Sequence, residues 1–325
     1  MLVKPAHSPC MIPHPIVNAI MRPSYLTFVL LVFLFVAGTG CAPAHDTAQA
    51  DSQSAPSLPA GIASDQGESW FTTANGEYLI VWGRHEDGWS GHTMWSMQRT
   101  EEGWTEPAVL PFSGTYNDRG GRFYPGLDAL LFSSDRPLPG EEEAGDFNIW
   151  IAMFDGISWV DPEPLASLNS DANDFHASIA GDASIFFASD REGGQGGTDL
   201  YRAELGVIGY ETSVVPGPLN SAQSEADVWI DPAMRYIIFS RTDDPAGFGG
   251  DDLWISFPDG DSWGEPINLG SSVNSTEYEY GPWVSRDGAT LYFTTHADGD
   301  ADIREVALAD LGIEGPEGWL ASGVE

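Results

Sequence analysis

Five short apolar runs, each ending in a polar turn, punctuate the chain. They are Leu79-Ile80-Val81-Trp82-Gly83-Arg84, Leu130-Leu131-Phe132-Ser133-Ser134-Asp135-Arg136, Ile185-Phe186-Phe187-Ala188-Ser189-Asp190-Arg191, Ile237-Ile238-Phe239-Ser240-Arg241 and Leu291-Tyr292-Phe293-Thr294-Thr295-His296. Runs this short, bounded by turn residues and without a sustained helical period, predict strands. Their central residues, 81, 132, 187, 239 and 293, lie 51, 55, 52 and 54 apart, so the chain repeats at about fifty residues. The first run is the most diverged copy.

Three further landmarks recur in the same order within each unit. A polar-to-apolar strand start appears as Thr93-Met94-Trp95, Asn148-Ile149-Trp150, Asp199-Leu200-Tyr201, Asp252-Leu253-Trp254 and Asp302-Ile303-Arg304. An aromatic after a turn follows at Trp104, Trp159, Tyr210, Trp263 and Trp319, with Pro107, Pro162 and Pro266 three residues beyond three of them. A linking turn reads Leu168-Asn169-Ser170, Leu219-Asn220-Ser221 and Val273-Asn274-Ser275. Each unit thus offers about four short strands. A four-stranded sheet covers both faces only when like sheets stack on it, and radial stacking of such units is a β-propeller. The expected fold is all-β, a propeller of four-stranded blades with five blades, and six as the alternative. A sixth blade would need about fifty more residues, and the segment before residue 67 does not resemble a unit.

The landmarks resemble the WD40-like β-propeller repeat of the TolB-type periplasmic proteins: a strand ending Phe-x-Ser-Asp-Arg, a Gly-rich turn, Asp-Leu-Tyr/Trp, Trp-x-x-Pro and Leu-Asn-Ser. Gly193-Gly194-Gln195-Gly196-Gly197-Thr198-Asp199-Leu200-Tyr201 matches closely, as does Gly249-Gly250-Asp251-Asp252-Leu253-Trp254. The resemblance covers roughly residues 67–320 and implies a scaffold more than an activity. The third unit departs from it by lacking the proline.

The region before the repeats is of another kind. Residues 26–37 form an apolar run long enough for a secretory signal and short for a membrane span, with Arg22 ahead of it and Gly38-Thr39-Gly40-Cys41 behind. This resembles a bacterial lipoprotein signal, which implies lipidation of Cys41, with a true start at Met21. Gly38 stands where such signals usually carry a larger apolar residue, so a simply secreted periplasmic form is the alternative. Residues 1–41 are therefore read as the signal, 42–66, rich in Ala, Ser, Pro and Gln, as a flexible tether, and 67–325 as the propeller. By the same resemblance, Ala42 after the cysteine favours the outer membrane, facing the periplasm or the surface.

Charge narrows the partners. From Cys41 onward there are eleven arginines, no lysine and all 49 acids, a net of −38. Such a surface repels nucleic acid and anionic lipid headgroups, so membrane association is expected through the anchor alone. Cys10 and Cys41 both precede the repeats, so no disulfide staples the fold and thiol catalysis is excluded.

The candidate chemistry lies 13 or 14 residues before each central apolar position, where Glu68, Asp118, Asp174, Glu225 and Glu279 stand. Five acids at one point of the repeat would ring one mouth of a channel. Such a ring would bind a basic ligand or a divalent cation, Ca2+ being the one cofactor it suggests. The structural reading is that each acid accepts hydrogen bonds from turns. Asp135-Arg136 and Asp190-Arg191 read as turn-fixing pairs, Asp251-Asp252 and Asp298 to Asp302 as solvated turns. His85, His92, His176 and His296 lack metal-ligand spacing, although His176, at the start of an inner strand, is placed to face the channel. No nucleophile elbow, phosphate loop or dinucleotide fingerprint occurs. The expected function is a monomeric, non-catalytic envelope lipoprotein that binds a protein or small ligand, with no catalytic residues. The alternative is a glycoside hydrolase, since some sugar-cleaving families use five-bladed propellers with channel carboxylates. Against it, these acids recur once per blade, whereas a catalytic pair should break the symmetry. A calcium-stabilised module without other ligand is the third reading.

Overall fold

The structure of the protein, a computed structural model, describes residues 68–74, 79–85, 91–124 and 127–312. Cys41, the signal, the tether and Trp319 lie outside the described residues.

The repeats fold as expected, into five antiparallel blades of a β-propeller. The innermost strands are Glu68–Thr73, Asp118–Phe123, Asp174–Ile179, Glu225–Ile230 and Glu279–Val284 in blades I to V. Each pairs with a second strand built on the central apolar run: Leu79–His85, Ala129–Ser134, Ile185–Ser189, Ile237–Thr242 and Thr290–Thr295. Third strands follow at His92–Thr100, Asn148–Met153, Asp199–Leu205, Asp251–Ser256 and Asp302–Ala307. Short outer segments complete blades I to IV. Blade V has three described strands before the turn of 3-10 helix at Leu308–Leu311. The aromatic landmarks take like places, with Trp104, Tyr210 and Trp263 each on the return segment after a third strand and Trp159 bridged to Phe154.

The apolar runs have no polar alternation because both of their faces are covered by neighbouring blades. Val81, Phe132, Phe187 and Phe239 are fully buried and Phe293 nearly so, each contributing about 1.5–3 kcal/mol. One core layer lies between blades I and II, around Met94 and Phe132, and another between II and III, around Leu131 and Phe187. A third joins III to IV around Phe186 and Phe239. The largest runs from blade IV through V to I. It closes the ring, with Phe71 of blade I against Trp283 and Tyr292 of blade V at 5.3 and 5.0 Å.

The polar landmarks meet at one corner of each blade. Asn169 accepts from the Ile149 amide at 2.9 Å and donates to the Ile149 carbonyl at 3.0 Å, clamping the third strand. Asn220 does the same to Leu200 and Asn274 to Leu253. In blades II to IV the Asn-Ser turn therefore ties the third strand to the link into the next blade.

Candidate functional site

The five sequence-predicted acids are the first residues of the five inner strands, at one mouth of the ring. Asp118, Asp174, Glu225 and Glu279 are fully buried. Arg191 donates to Asp174 at 2.5 Å, and Ser170 donates to it through its amide and hydroxyl. Arg241 donates to Glu225 at 2.8 Å and Arg136 to Asp118 at 2.6 Å. Glu279 has Ser275 and the Thr295 hydroxyl instead of an arginine. Glu68 holds the same backbone position, paired with Arg84. Burial pushes the carboxyls of Asp118 and Glu225 up, and their arginine and hydroxyl partners oppose it. Each described acid thus binds donors of its own blade or linking turn. Asp135 and Asp190 likewise accept from the amide and side chain of Asn117 and Asn173.

Two residues further along each inner strand the repeat breaks. Every inner strand carries a β-bulge there, and its third residue takes a left-handed backbone: Trp70, Gly120, His176, Asp227 and Gly281, with φ of 50°, 66°, 54°, 49° and 62°. Glycine takes this conformation freely, whereas Trp, His and Asp hold it at a cost, a kind of strain that clusters at functional sites. The three non-glycine side chains meet. The Trp70 indole Nε1–H donates to Asp227 Oδ1 at 2.5 Å, and His176 Nδ1 lies 3.2 Å from the same oxygen. His176 Nδ1 also accepts from the Asp227 amide N–H at 3.4 Å. Ser240 donates to Asp227 Oδ2.

Blades I, III and IV are not mutual neighbours all round the ring, so these contacts cross its axis and plug the channel. The glycines make room for the plug. A Cβ at Gly120 would lie 2.7 Å from His176 Cδ2, and one at Gly281 would lie 2.8 Å from Trp70 Cδ1.

Around Trp70 stand all four described histidines or their partners. His92 and His176 lie 5.0 and 5.3 Å from the indole, and His85 is 4.1 Å from His92, ring to ring. The Tyr280 hydroxyl joins His85 Nε2 at 3.0 Å to His296 Nε2 at 3.3 Å. Burial, then His296 and Arg119, holds His85 down at about 4. Burial, His85, Arg119 and His176 hold His92 at about 3. Burial pushes Asp227 up, against the indole donor and the charges of Arg122 and Arg119. The cluster is therefore built to keep its imidazoles neutral. Among the described residues no group of three or more His, Cys, Asp or Glu is arranged to hold a metal ion.

On the side of the plug away from the acids, the channel opens into a cavity of about 420 Å³. The last residue of every inner strand, Thr73, Phe123, Ile179, Ile230 and Val284, lines it. The inner strands are six residues long, so this mouth lies about 20 Å from the acid corners. The wall is largely aromatic and aliphatic, with Trp229 and Trp283 from blades IV and V and with Arg122 and Arg286.

No family model and no curated protein sequence matches the chain. Among solved structures it is similar to TolB from Acinetobacter baumannii, with TM-score 0.50 and 13% identity over 76% of this chain and 53% of that one. This chain therefore spans about half the length of that protein. A TolB-type protein from Agrobacterium tumefaciens gives TM-score 0.50 and 11% identity over 77% and 80% of the two chains. A glycoside hydrolase gives TM-score 0.50 and 12% identity over 80% and 90%.

The fold is a five-bladed β-propeller, similar to both TolB-type proteins and a glycoside hydrolase.

At such identities the likeness is one of fold, and it does not choose between a scaffold and a hydrolase. Sequence reasoning found the five-bladed propeller frame and the positions of the acids but missed the plug and the cavity. The usable signal was the third and fifth residue of each inner strand. Trp70, Gly120, His176, Asp227 and Gly281 hold the third position; Thr72, Arg122, Ser178, Trp229 and Trp283 hold the fifth.

Proposed function

We propose that this chain is a non-catalytic binding propeller of the cell envelope, exported and anchored through Cys41, that holds its ligand in the central cavity. The observation carrying the reading is the plug. It shuts the channel axis and leaves a blind cavity walled by all five blades. Pockets of a few hundred Å³, apolar with a few placed polar groups, are what small ligands and peptide ends occupy.

The hydrolase reading needs two carboxylates facing each other across a bond to be cleaved. Asp227 has both oxygens engaged by Trp70, His176 and Ser240, and no acid stands on the described cavity wall. The acid corners serve in this reading as blade pins.

The test is to express the full chain in a Gram-negative host with labelled palmitate and to assay the purified protein against a glycan panel. The expected result is label and membrane recovery that vanish in Cys41→Ser, with no glycan turnover. Turnover abolished by Asp227→Asn would replace the scaffold with an enzyme. A melting temperature lowered by chelator would restore calcium to the account.

A further inference from the structure

The charge on the cavity wall is the reverse of the charge on the protein. The chain carries 49 acids, yet no described wall residue is acidic, and the only charged ones are Arg122 and Arg286. Six of the nine other described arginines, at 136, 191, 202, 235, 241 and 304, each pair with a carboxylate, and half-buried Arg119 lies over the Phe147 ring at 3.8 Å. Arg122 and Arg286 pair with none among the described residues.

Arg122 is the more telling of the two. It is only 4% exposed. Its terminal nitrogens donate to the carbonyls of Gly121 and Pro282 at 2.9 and 2.8 Å, which fixes the guanidinium plane between blades II and V, and its Nε–H has no partner. A buried guanidinium held by neutral carbonyls alone costs several kcal/mol, and such groups ordinarily have an anion beside them. Burial accordingly pulls Arg122 down to about 10, and Asp227, which is not on the wall, is the one carboxylate that supports its charge.

The acids nearest the rim are engaged elsewhere. Asp231 is held by Arg235 at 2.7 Å, Asp182 faces Arg202 at 3.4 Å, and Asp287 accepts from Ser285 and the Ala289 amide. The remaining acids repel an anion at long range, but charges beyond a Debye length of about 8 Å are screened at physiological salt. Inside the cavity the two arginines therefore set the sign of the potential.

We propose that the cavity binds a carboxylate attached to an apolar, preferably aromatic, group, with Arg122 and Arg286 on the carboxylate and Trp229, Trp283 and Phe123 around the apolar body. This rests on the reading of the ring as a binding scaffold and gives its ligand a chemical class. A free aromatic acid and the C-terminus of a peptide ending in an aromatic residue share this chemistry.

The experiment is calorimetric titration of the full chain with three probes: 3-phenylpropanoate, N-acetyl-Ala-Phe with a free C-terminus, and the same dipeptide as its C-terminal amide. Binding of a free acid at least tenfold tighter than the amide is expected. Arg286→Gln should weaken the acid threefold to tenfold without altering the amide. Binding of the dipeptide acid but not of phenylpropanoate identifies a peptide end as the source, and the converse a small molecule. Arg122→Gln removes a clamp between blades and is informative only if it folds; Arg286, exposed on the rim, keeps the test decisive if it does not. Equal binding of acid and amide overturns the carboxylate inference and leaves the scaffold reading standing. Absence of binding by every probe also overturns the inference. Glycan turnover in the separate assay overturns the scaffold reading whatever these titrations give.

Discussion

The acid corner and the bulge two residues beyond it sit on the same five strands and follow opposite rules. At the corner the residues repeat and the contacts are local: an acid, in blades III to V the serine four residues before it and, in blades II to IV, an arginine at the end of the second strand. At the bulge the residues differ in kind and the contacts cross the ring. A repeat must satisfy the same corner five times, so identical residues there reflect how a blade is built. A channel has only one axis, and what fills it has no reason to be symmetric. In a propeller, then, the place to look for binding is where equivalent residues disagree.

The sharpest way to break this comparison is at a corner. Arg241→Met leaves Glu225 buried without its ion-pair partner. Removing one partner of a buried pair costs about 3–5 kcal/mol, so urea denaturation should find the largest loss here. A loss below 1 kcal/mol would mean that Glu225 does not depend on Arg241, and would return the acids to candidacy as a binding ring.

At the bulge, Gly120→Ala meets two penalties, the left-handed backbone and a Cβ 2.7 Å from His176 Cδ2. A loss of about 2–3 kcal/mol is expected. Combining it with His176→Ala should recover the steric part, giving a coupling of about 1 kcal/mol or more in a double-mutant cycle. Additive effects would show that the plug does not press on blade II.

These two predictions also mark what was legible beforehand. The second strands were readable because burial on both faces demands continuous apolar runs such as Ile185-Phe186-Phe187. The corners were readable because Asn169, Ser170 and Arg191 recur with fixed spacing, and the acids were correctly placed at the inner-strand starts. The plug was hidden by the bulge. Without it, simple alternation would give Trp70 and His176 no shared direction, and no local pattern links Trp70 to Asp227 across 157 residues. The cavity was hidden for a related reason: Arg122 looks like one more arginine in an acidic chain until its lack of a carboxylate is seen. Ring closure was open in the sequence, and the blade I to blade V core supplies it among the described residues.

A smaller effect tests the histidines. His85 and His92 sit at about 4 and 3 in the native cluster, against an ordinary value near 6.5 once unfolded. Between those values the unfolded chain binds protons that the native cluster refuses. Stability is therefore full above about pH 6.5 and is lost as the pH falls toward 4. The melting temperature should drop by several degrees between pH 7 and pH 5, because two imidazoles refuse protons over this range and Asp251, which burial raises to about 6 and which gains from protonation, offsets only part of the loss. His92→Gln should flatten that slope. An unchanged slope would mean that the ring is already protonated or solvated in the native protein.

The smallest effect separates the plug from the arginines it supports. Asp227→Asn keeps an oxygen for the Trp70 indole and removes a charge whose burial is unfavourable. It also removes the one carboxylate that supports Arg122. The two changes oppose each other, so the net shift should stay within about 1 kcal/mol, measured by urea denaturation at pH 7. The same variant should bind the free-acid probe at least as tightly as the parent, because Arg122 loses its competing anion. Destabilisation of 3 kcal/mol or more would make Asp227 the true counter-ion of Arg122. Arg286 would then be the one unanswered charge on the described wall, and the tryptophans would carry more of the choice of ligand.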